Sequence, residues 1–366
     1  MEPGRDGVGD YTRRLAGELA RQGHAVACVA LNDLFVTSEF DGRQYSEGVL
    51  VPTLRLPTGL SESARFEHAR HWIARFTPDW ISLQFVPFSF HPKGLPLGLP
   101  YRLASLGKGC KWHVMLHELW VGMDTDAPLK HIWWGGAQRF IIKSLLSRLK
   151  PSVVHTQSHL YLAYLAELGV QAEHLPLFSN IPLLSTPLPE TGERADGTPT
   201  DTLVLFGGIH PGAPVEDLAA EAAHYSRSQA IRVKLMIVGR CGTEQERWAA
   251  VWRAHKLPVE IAGEQSAEQI SAILRRASLG IATTPMALIE KSGAVSAMRA
   301  HGLTVLCVAR RWHPRGGLQV QAPSGVIEYR KGSLTACLDS GLVQQGADNQ
   351  SDVVSAQLSN RLLRVV

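Results

Sequence analysis

Glu290-Lys291-Ser292-Gly293 sets a carboxylate, an ammonium, a hydroxyl and an unhindered amide in four consecutive residues. A carboxylate there can accept hydrogen bonds from sugar hydroxyls. The amides of Ser292 and Gly293, opening a helix, can face a diphosphate. The competing reading is an acidic residue that complements a helix dipole, worth about 0.3–1 kcal/mol. Gly7-Val8-Gly9 opens another helix near the start of the chain. It lacks the third glycine and the downstream acid of a dinucleotide fingerprint, so a tight turn before a helix competes with a ligand role. His117-Glu118 follows the apolar run Trp112–Leu116 and so falls at the C-terminal end of a strand, the edge where open α/β sheets bind ligands. A hydrogen-bonded structural histidine is the alternative there. Val121 stands where a zinc-protease motif would need its second histidine. Phe206-Gly207-Gly208-Ile209-His210 and Val238-Gly239-Arg240 each put a glycine turn after a strand, and Arg240 could neutralise a phosphate. His155 and His159 have i,i+4 spacing but no third ligand, so no metal site is expected.

These residues need elements to hold them. Leu15 and Leu19 follow Tyr11 at helical spacing over Gly7–Gln22, and Gly23 stops the helix. Strand-like runs follow at His24–Leu31, Val49–Leu54, Trp80–Phe85, Trp112–His117 and Val153–Thr156. Helical stretches separate them at Ser63–Phe76, Lys130–Leu149 and His159–Leu168. The alternation restarts later, with strands at Leu203–Phe206, Val233–Val238, Val259–Ala262, Leu279–Thr283 and Val305–Val308. Its helices are Val215–Ser226, Glu244–His255, Ala267–Ala277 and Ala294–His301. Such alternation predicts parallel sheets covered on both faces. The expected division is residues 1–185 as a first domain, 186–201 as a Pro/Thr/Gly-rich linker and 202–366 as a second, with the last helix crossing back. Too few residues precede Gly7 for the usual first strand. Either the chain starts part-way into that domain or the domain lacks a central strand.

The bulk composition narrows the classes. With 366 residues, 45% hydrophobic and 19% charged, the chain suits two soluble α/β domains. A net charge of +4 spread over both halves leaves no nucleic-acid stripe. Cys28, Cys110, Cys241, Cys307 and Cys337 are unclustered, which fits small buried side chains in a reducing compartment. Without a signal-peptide pattern or a membrane-spanning run, the cytoplasm is the expected location. Residues 129–164 carry five basic residues, interleaved aromatics and no acid. They read either as a packed helix with a solvated basic face or as a surface lying against the inner membrane face.

In order along the chain, Gly7-Val8-Gly9-Asp10-Tyr11, Gly23-His24, His117, Gly207-Gly208, Glu290-Lys291-Ser292-Gly293 and His301-Gly302-Leu303 resemble the glycosyltransferase family 4 type. The resemblance implies a GT-B architecture, two doubly wound Rossmann-like domains facing across a cleft. It implies a retaining, metal-independent transfer from a nucleotide diphosphate sugar, with no cofactor beyond that co-substrate. The acceptor would be a glycan, a lipid-linked glycan or a small molecule. By the resemblance, Gly7, Val8 and Gly9 face the donor, and His117 lies beside the donor sugar. Glu290 takes the first position of the family's Glu-x7-Glu motif, with Lys291, Ser292 and Gly293 at the diphosphate. Two features depart from the pattern. Met298 stands at the second carboxylate position, and Ile209-His210-Pro211 replaces the usual donor-loop cations, leaving His210 or Arg240 to substitute. A non-catalytic sugar-binding or partner subunit and a sugar-nucleotide epimerase are the alternative readings.

Overall fold

The computed structural model describes residues 1–46, 48–183, 199–340 and 350–365. Two compact units emerge: Met1–Pro176 with Pro314–Leu318 and Ser351–Val366, and Leu177–His313 with Gln319–Gln350. Of the anticipated linker, residues 186–198 lie outside the described residues.

The first unit opens with α1 (Gly7–Arg21), β1 (Cys28–Asp33), β2 (Phe40–Ser46), β3 (Val49–Pro57) and α2 (Glu62–Phe76). It continues through β4 (Trp80–Phe85), α3 (Pro87–Phe90), α4 (Leu99–Ala104), β5 (Lys111–Leu116), α5 (Leu129–Leu149), β6 (Val153–Thr156), α6 (His159–Glu167) and β7 (Glu173–His174). Its strands fall into two sheets, β1-β3-β2 and β4-β5-β6-β7. Among the described residues β1 pairs only with β3 and β4 only with β5, so each is an edge strand of its sheet. Their exposure shows it: β5 is buried over five of its six residues, whereas most of β1 is only half-buried. One strand departs from the expected parallel pattern. β2, which lacks a clear apolar alternation, runs antiparallel to β3 as a hairpin. β1 also starts at Cys28 rather than His24. Buried Arg55 of β3 ties the end of β1 through Asp33 at 2.7 and 3.2 Å and reaches Glu2 at 2.8 Å.

The second unit contains β8 (Thr200–Phe206), α7 (Val215–Gln229), β9 (Arg232–Val238), α8 (Glu244–Ala254), β10 (Val259–Gly263), α9 (Ala267–Arg276) and β11 (Leu279–Ala282). A 3-10 turn (Met286–Lys291) leads to α10 (Gly293–Ala300), β12 (Val305–Cys307), β13 (Val326–Glu328) and α11 (Ser333–Asp339). Its sheet runs β10-β9-β8-β11-β12-β13, all parallel, so the order reverses direction between β8 and β11. Strand side chains alternate between faces. Leu203 and Leu205 pack with Trp248, Trp252 and Leu218 on one side, and Val204 packs with Leu274 and Met298 on the other. Both faces are therefore covered, as a parallel sheet requires.

The final helix, α12 (Ser351–Leu363), belongs to the first unit and packs beside α1. Gln22 donates to Ser355 Oγ at 2.7 Å, Ser359 meets His24 at 2.7 Å, and Arg361 grips Glu173 with both carboxylate oxygens at 2.8 Å from its Nε. A short strap joins the same unit. Arg315 takes the Met123 carbonyl through its amide at 2.8 Å and the Gly122 and Thr125 carbonyls through its guanidinium.

Candidate functional site

In the second unit the C-terminal strand ends gather most of the nominated residues. Gly207, at φ +81, turns the chain directly after β8, and a Cβ there would lie 3.4 Å from the Ala294 Cβ in the first turn of α10. The β8 loop thus abuts the α10 N-terminus at the point where strand order reverses, the crevice in which doubly wound sheets hold ligands. Thr283, just past β11, fastens the loop: its hydroxyl accepts from the His210 amide at 2.8 Å and points at the Gly208 carbonyl at 3.4 Å.

Ser292 caps α10, its hydroxyl accepting from the Val295 amide at 3.4 Å, and the first intrahelical bond runs from Ser296 to the Ser292 carbonyl. The amides of Gly293 and Ala294 fall ahead of that bond, where a helix leaves its N–H groups open. Space in front of Gly293 is clear, with no atom within 4 Å of a Cβ built on it. Lys291 and Arg310 add positive charge. Partial burial, then the charges of Lys291 and Arg310, hold His210 below the ordinary histidine range. Open amides, a helix dipole and two cations converge on one crevice, an arrangement suited to an anion.

Glu290 lies inside the 3-10 turn, one residue before its end, so it precedes the helix rather than opening it, and it is half-buried. Arg240, exposed just past β9, lies 3.9 Å from Glu264, and its loop touches the β8 loop, where the Ile209 amide donates to the Cys241 carbonyl at 3.1 Å. Met298 explains the missing second carboxylate. Its side chain is fully buried, and its sulfur would lie 2.7 Å from a Cβ on Gly280 of β11, so this position faces the core.

The other nominated residues gather in the first unit. Gly7, Val8 and Gly9 form the first turn of α1, which begins at Gly7 as its apolar spacing predicted. Asp6 caps that helix, accepting from the Val8 and Gly9 amides at 3.1 Å each. A carboxylate therefore already occupies the place where these two amides would meet a phosphate. His117 directly follows β5 and is buried. Its Nε2 lies 2.8 Å from the Gln84 Oε1, and the Tyr11 ring of α1 meets its ring edge-on at 4.9 Å. The Gln84 amide nitrogen donates to Ser82, which leaves its oxygen to accept, so Nε2 of His117 carries the proton. Burial lowers the His117 pKa to about 4, with the Gln157 side chain favouring the protonated ring and acting the other way. At neutral pH the ring is uncharged.

His155 and His159 do not share a helix face, because His155 lies in β6 and His159 begins α6. His155 instead meets the buried His113 at 3.1 Å, and His113 in turn meets the exposed Ser82 at 2.8 Å. Thr283, Ala294 and Arg310 were not foreseen. The signal for Thr283 and Arg310 was their place just after strands, the same rule that singled out Gly207.

Residues 6–180 match the family described as Glycosyl transferase 4-like domain. AviGT4, a glycosyltransferase involved in avilamycin A biosynthesis, is similar in structure at 15% identity and TM-score 0.55, over 99% of this chain and 90% of that one. HepE from Anabaena, solved in complex with UDP and glucose, gives 12% identity and TM-score 0.55 over 86% of each chain. A putative UDP-N-acetylglucosamine 2-epimerase from Listeria monocytogenes gives 13% and 0.50, over 86% and 82%. No curated protein matches the sequence. These likenesses show the α/β GT-B fold of two Rossmann-like domains.

Proposed function

We propose that the protein transfers a sugar from a nucleoside diphosphate sugar to a glycan or lipid-linked acceptor, with retention of configuration. The observation that carries the donor half of this reading is the α10 N-terminus, with its Gly293 and Ala294 amides beside Lys291, His210 and Arg310. Departure of a diphosphate builds negative charge, and fixed amides and cations stabilise it without reorganising. Lys291 and Arg310 can supply that charge in place of a divalent ion, so turnover is expected to survive a chelator. Glu290 is read as a ligand to the donor sugar's hydroxyls and His117 as a residue needed for turnover.

Calorimetric titration of the full chain with uridine, guanosine and adenosine diphosphates tests the donor site. Binding of one of them, weakened about tenfold by Lys291→Gln, is the expected result. No heat with any of the three at millimolar concentration would sink the reading. The inward-facing Met298 favours one competing reading, a GT-B protein that binds a nucleotide sugar without turning it over. Binding of a nucleotide sugar with neither transfer nor hydrolysis would decide for it. The epimerase reading predicts conversion of the sugar nucleotide without an acceptor.

A further inference from the structure

We infer that the outer face of α5, with the neighbouring end of α4, is a docking surface for an anionic lipid bilayer. The proposal is independent of the donor reading and begins with the helix itself. α5 is apolar on two opposite sides. Ile141, Ile142, Leu145 and Leu149 are buried on the inner side. On the other side Leu129, Trp133 and Phe140, at spacings of four and seven that keep them on one face, are 75%, 81% and 68% exposed. A helix apolar all round is ordinarily enclosed, so a second surface is needed over this one. The inner side is firmly held: Gln138 accepts from the Val121 amide at 2.8 Å and donates to the Gly94 carbonyl at 3.1 Å. The outer aromatics are therefore presented by a fixed element.

The apolar face continues onto α4, where Tyr101 is 59% exposed and the Arg148 guanidinium lies 3.7 Å over its ring. Charge identifies the occupant. No Asp or Glu occurs between Asp79 and Glu118 or between Asp126 and Glu167, the stretches that supply this face. The same stretches carry Lys93, Arg102, Lys108 and Lys111, then Lys130, Arg139, Lys143, Arg148 and Lys150. On α4 Arg102 pairs with Glu62 at 3.2 Å, but α5 itself carries no acid, and its exposed tryptophan and phenylalanine beside basic residues suit lipid headgroups and the acyl boundary beneath them. α5 spans 21 residues, roughly 30 Å at 1.5 Å per residue, enough to lie along a bilayer surface. Among the described residues no helix is long and apolar enough to cross a membrane, so the helix lies on the bilayer.

Co-sedimentation of the full chain with vesicles tests the surface, using phosphatidylcholine alone and phosphatidylcholine with about one-third phosphatidylglycerol. Binding to the anionic vesicles, weakened by salt, is expected. Trp133→Ser with Phe140→Ser, and separately Lys130→Glu with Lys143→Glu, should each reduce partitioning about tenfold or more. All four positions are exposed, and unchanged circular dichroism melts confirm that the variants fold. Failure to sediment with anionic vesicles, equal sedimentation of wild type and variants, or equal binding to neutral vesicles overturns the proposal. So does a wild-type dimer that Trp133→Ser with Phe140→Ser dissolves, which would assign the face to a second copy of the chain.

Discussion

At the scale of single residues, similar motifs have different fates. Asp6 engages the amides of Val8 and Gly9, so an anion approaching α1 meets a carboxylate, whereas the Ser292 cap of α10 takes the Val295 amide and leaves those of Gly293 and Ala294 ahead of the first intrahelical bond. Glu290 stands beside the second of these. Glu290→Gln is expected to lower turnover by at least about tenfold while costing no more than about 1 kcal/mol of stability. An unaltered rate with a lowered melting temperature would instead make it a structural carboxylate. Arg55 acts by another route. Burial raises the Asp33 pKa, but the Arg55 guanidinium and the Phe35 amide outweigh it and bring the carboxyl down to about 2. Arg55→Ala strands a buried charge between β1 and β3, and a loss of about 3–5 kcal/mol is expected in urea unfolding. A loss below about 1 kcal/mol would show that the Met1 ammonium, 3.0 Å from Asp33, and solvent take over the role.

At the scale of elements, α10 shows why spacing alone misleads. The residue eight positions after Glu290 reaches inward because α10 lays Val295, Ala297 and Met298 against the sheet. Met298→Glu, which would complete the resemblance in sequence, would instead put a carboxylate into the core over Gly280. The expected outcome is loss of folding of the second unit, by several kcal/mol on the scale of an unpaired buried charge, with no gain in nucleotide affinity. Soluble, folded Met298→Glu protein that binds diphosphates more tightly would show that the position can turn outward. α5 makes the complementary point. Its basic, aromatic outer face was legible as a pattern, but only its anchored inner face shows which aromatics remain outside.

At the scale of the whole molecule, enclosed histidines set the response to acid. Burial lowers His117 and His155 to about 4 and His113 well below its ordinary value of about 6.5. The unfolded chain takes up protons on these rings before the folded one does, so stability rises with pH between about 4 and about 6.5 and is lost on acidification. Each independent ring contributes up to about 1.4 kcal/mol per pH unit in that window. His113 and His155 share a hydrogen bond and count together. Asp33 titrates lower, near 2, and leaves the window clear. Melting temperatures measured across it should fall steadily towards pH 4, with a shallower slope in His117→Gln. A flat profile would mean that the rings gain solvent before they protonate.

The sequence by itself determined the alternation of strands and helices, the GT-B class and the placing of Gly207, His210 and Glu290 beyond strand ends. Period-two and period-3.6 patterns are written in near neighbours, which is why Trp80–Phe85 and Val153–Thr156 were legible to the residue. The tertiary structure alone decided which of these ends meet. β8 and β11 are sheet neighbours although more than seventy residues separate Thr283 from His210, and Arg310 joins them from beyond β12. It also decided the antiparallel pairing of β2 and the start of β1 at Cys28. Those depend on which edges pair and which faces remain to be buried. Such contacts join residues far apart in the chain, and no local spacing encodes them.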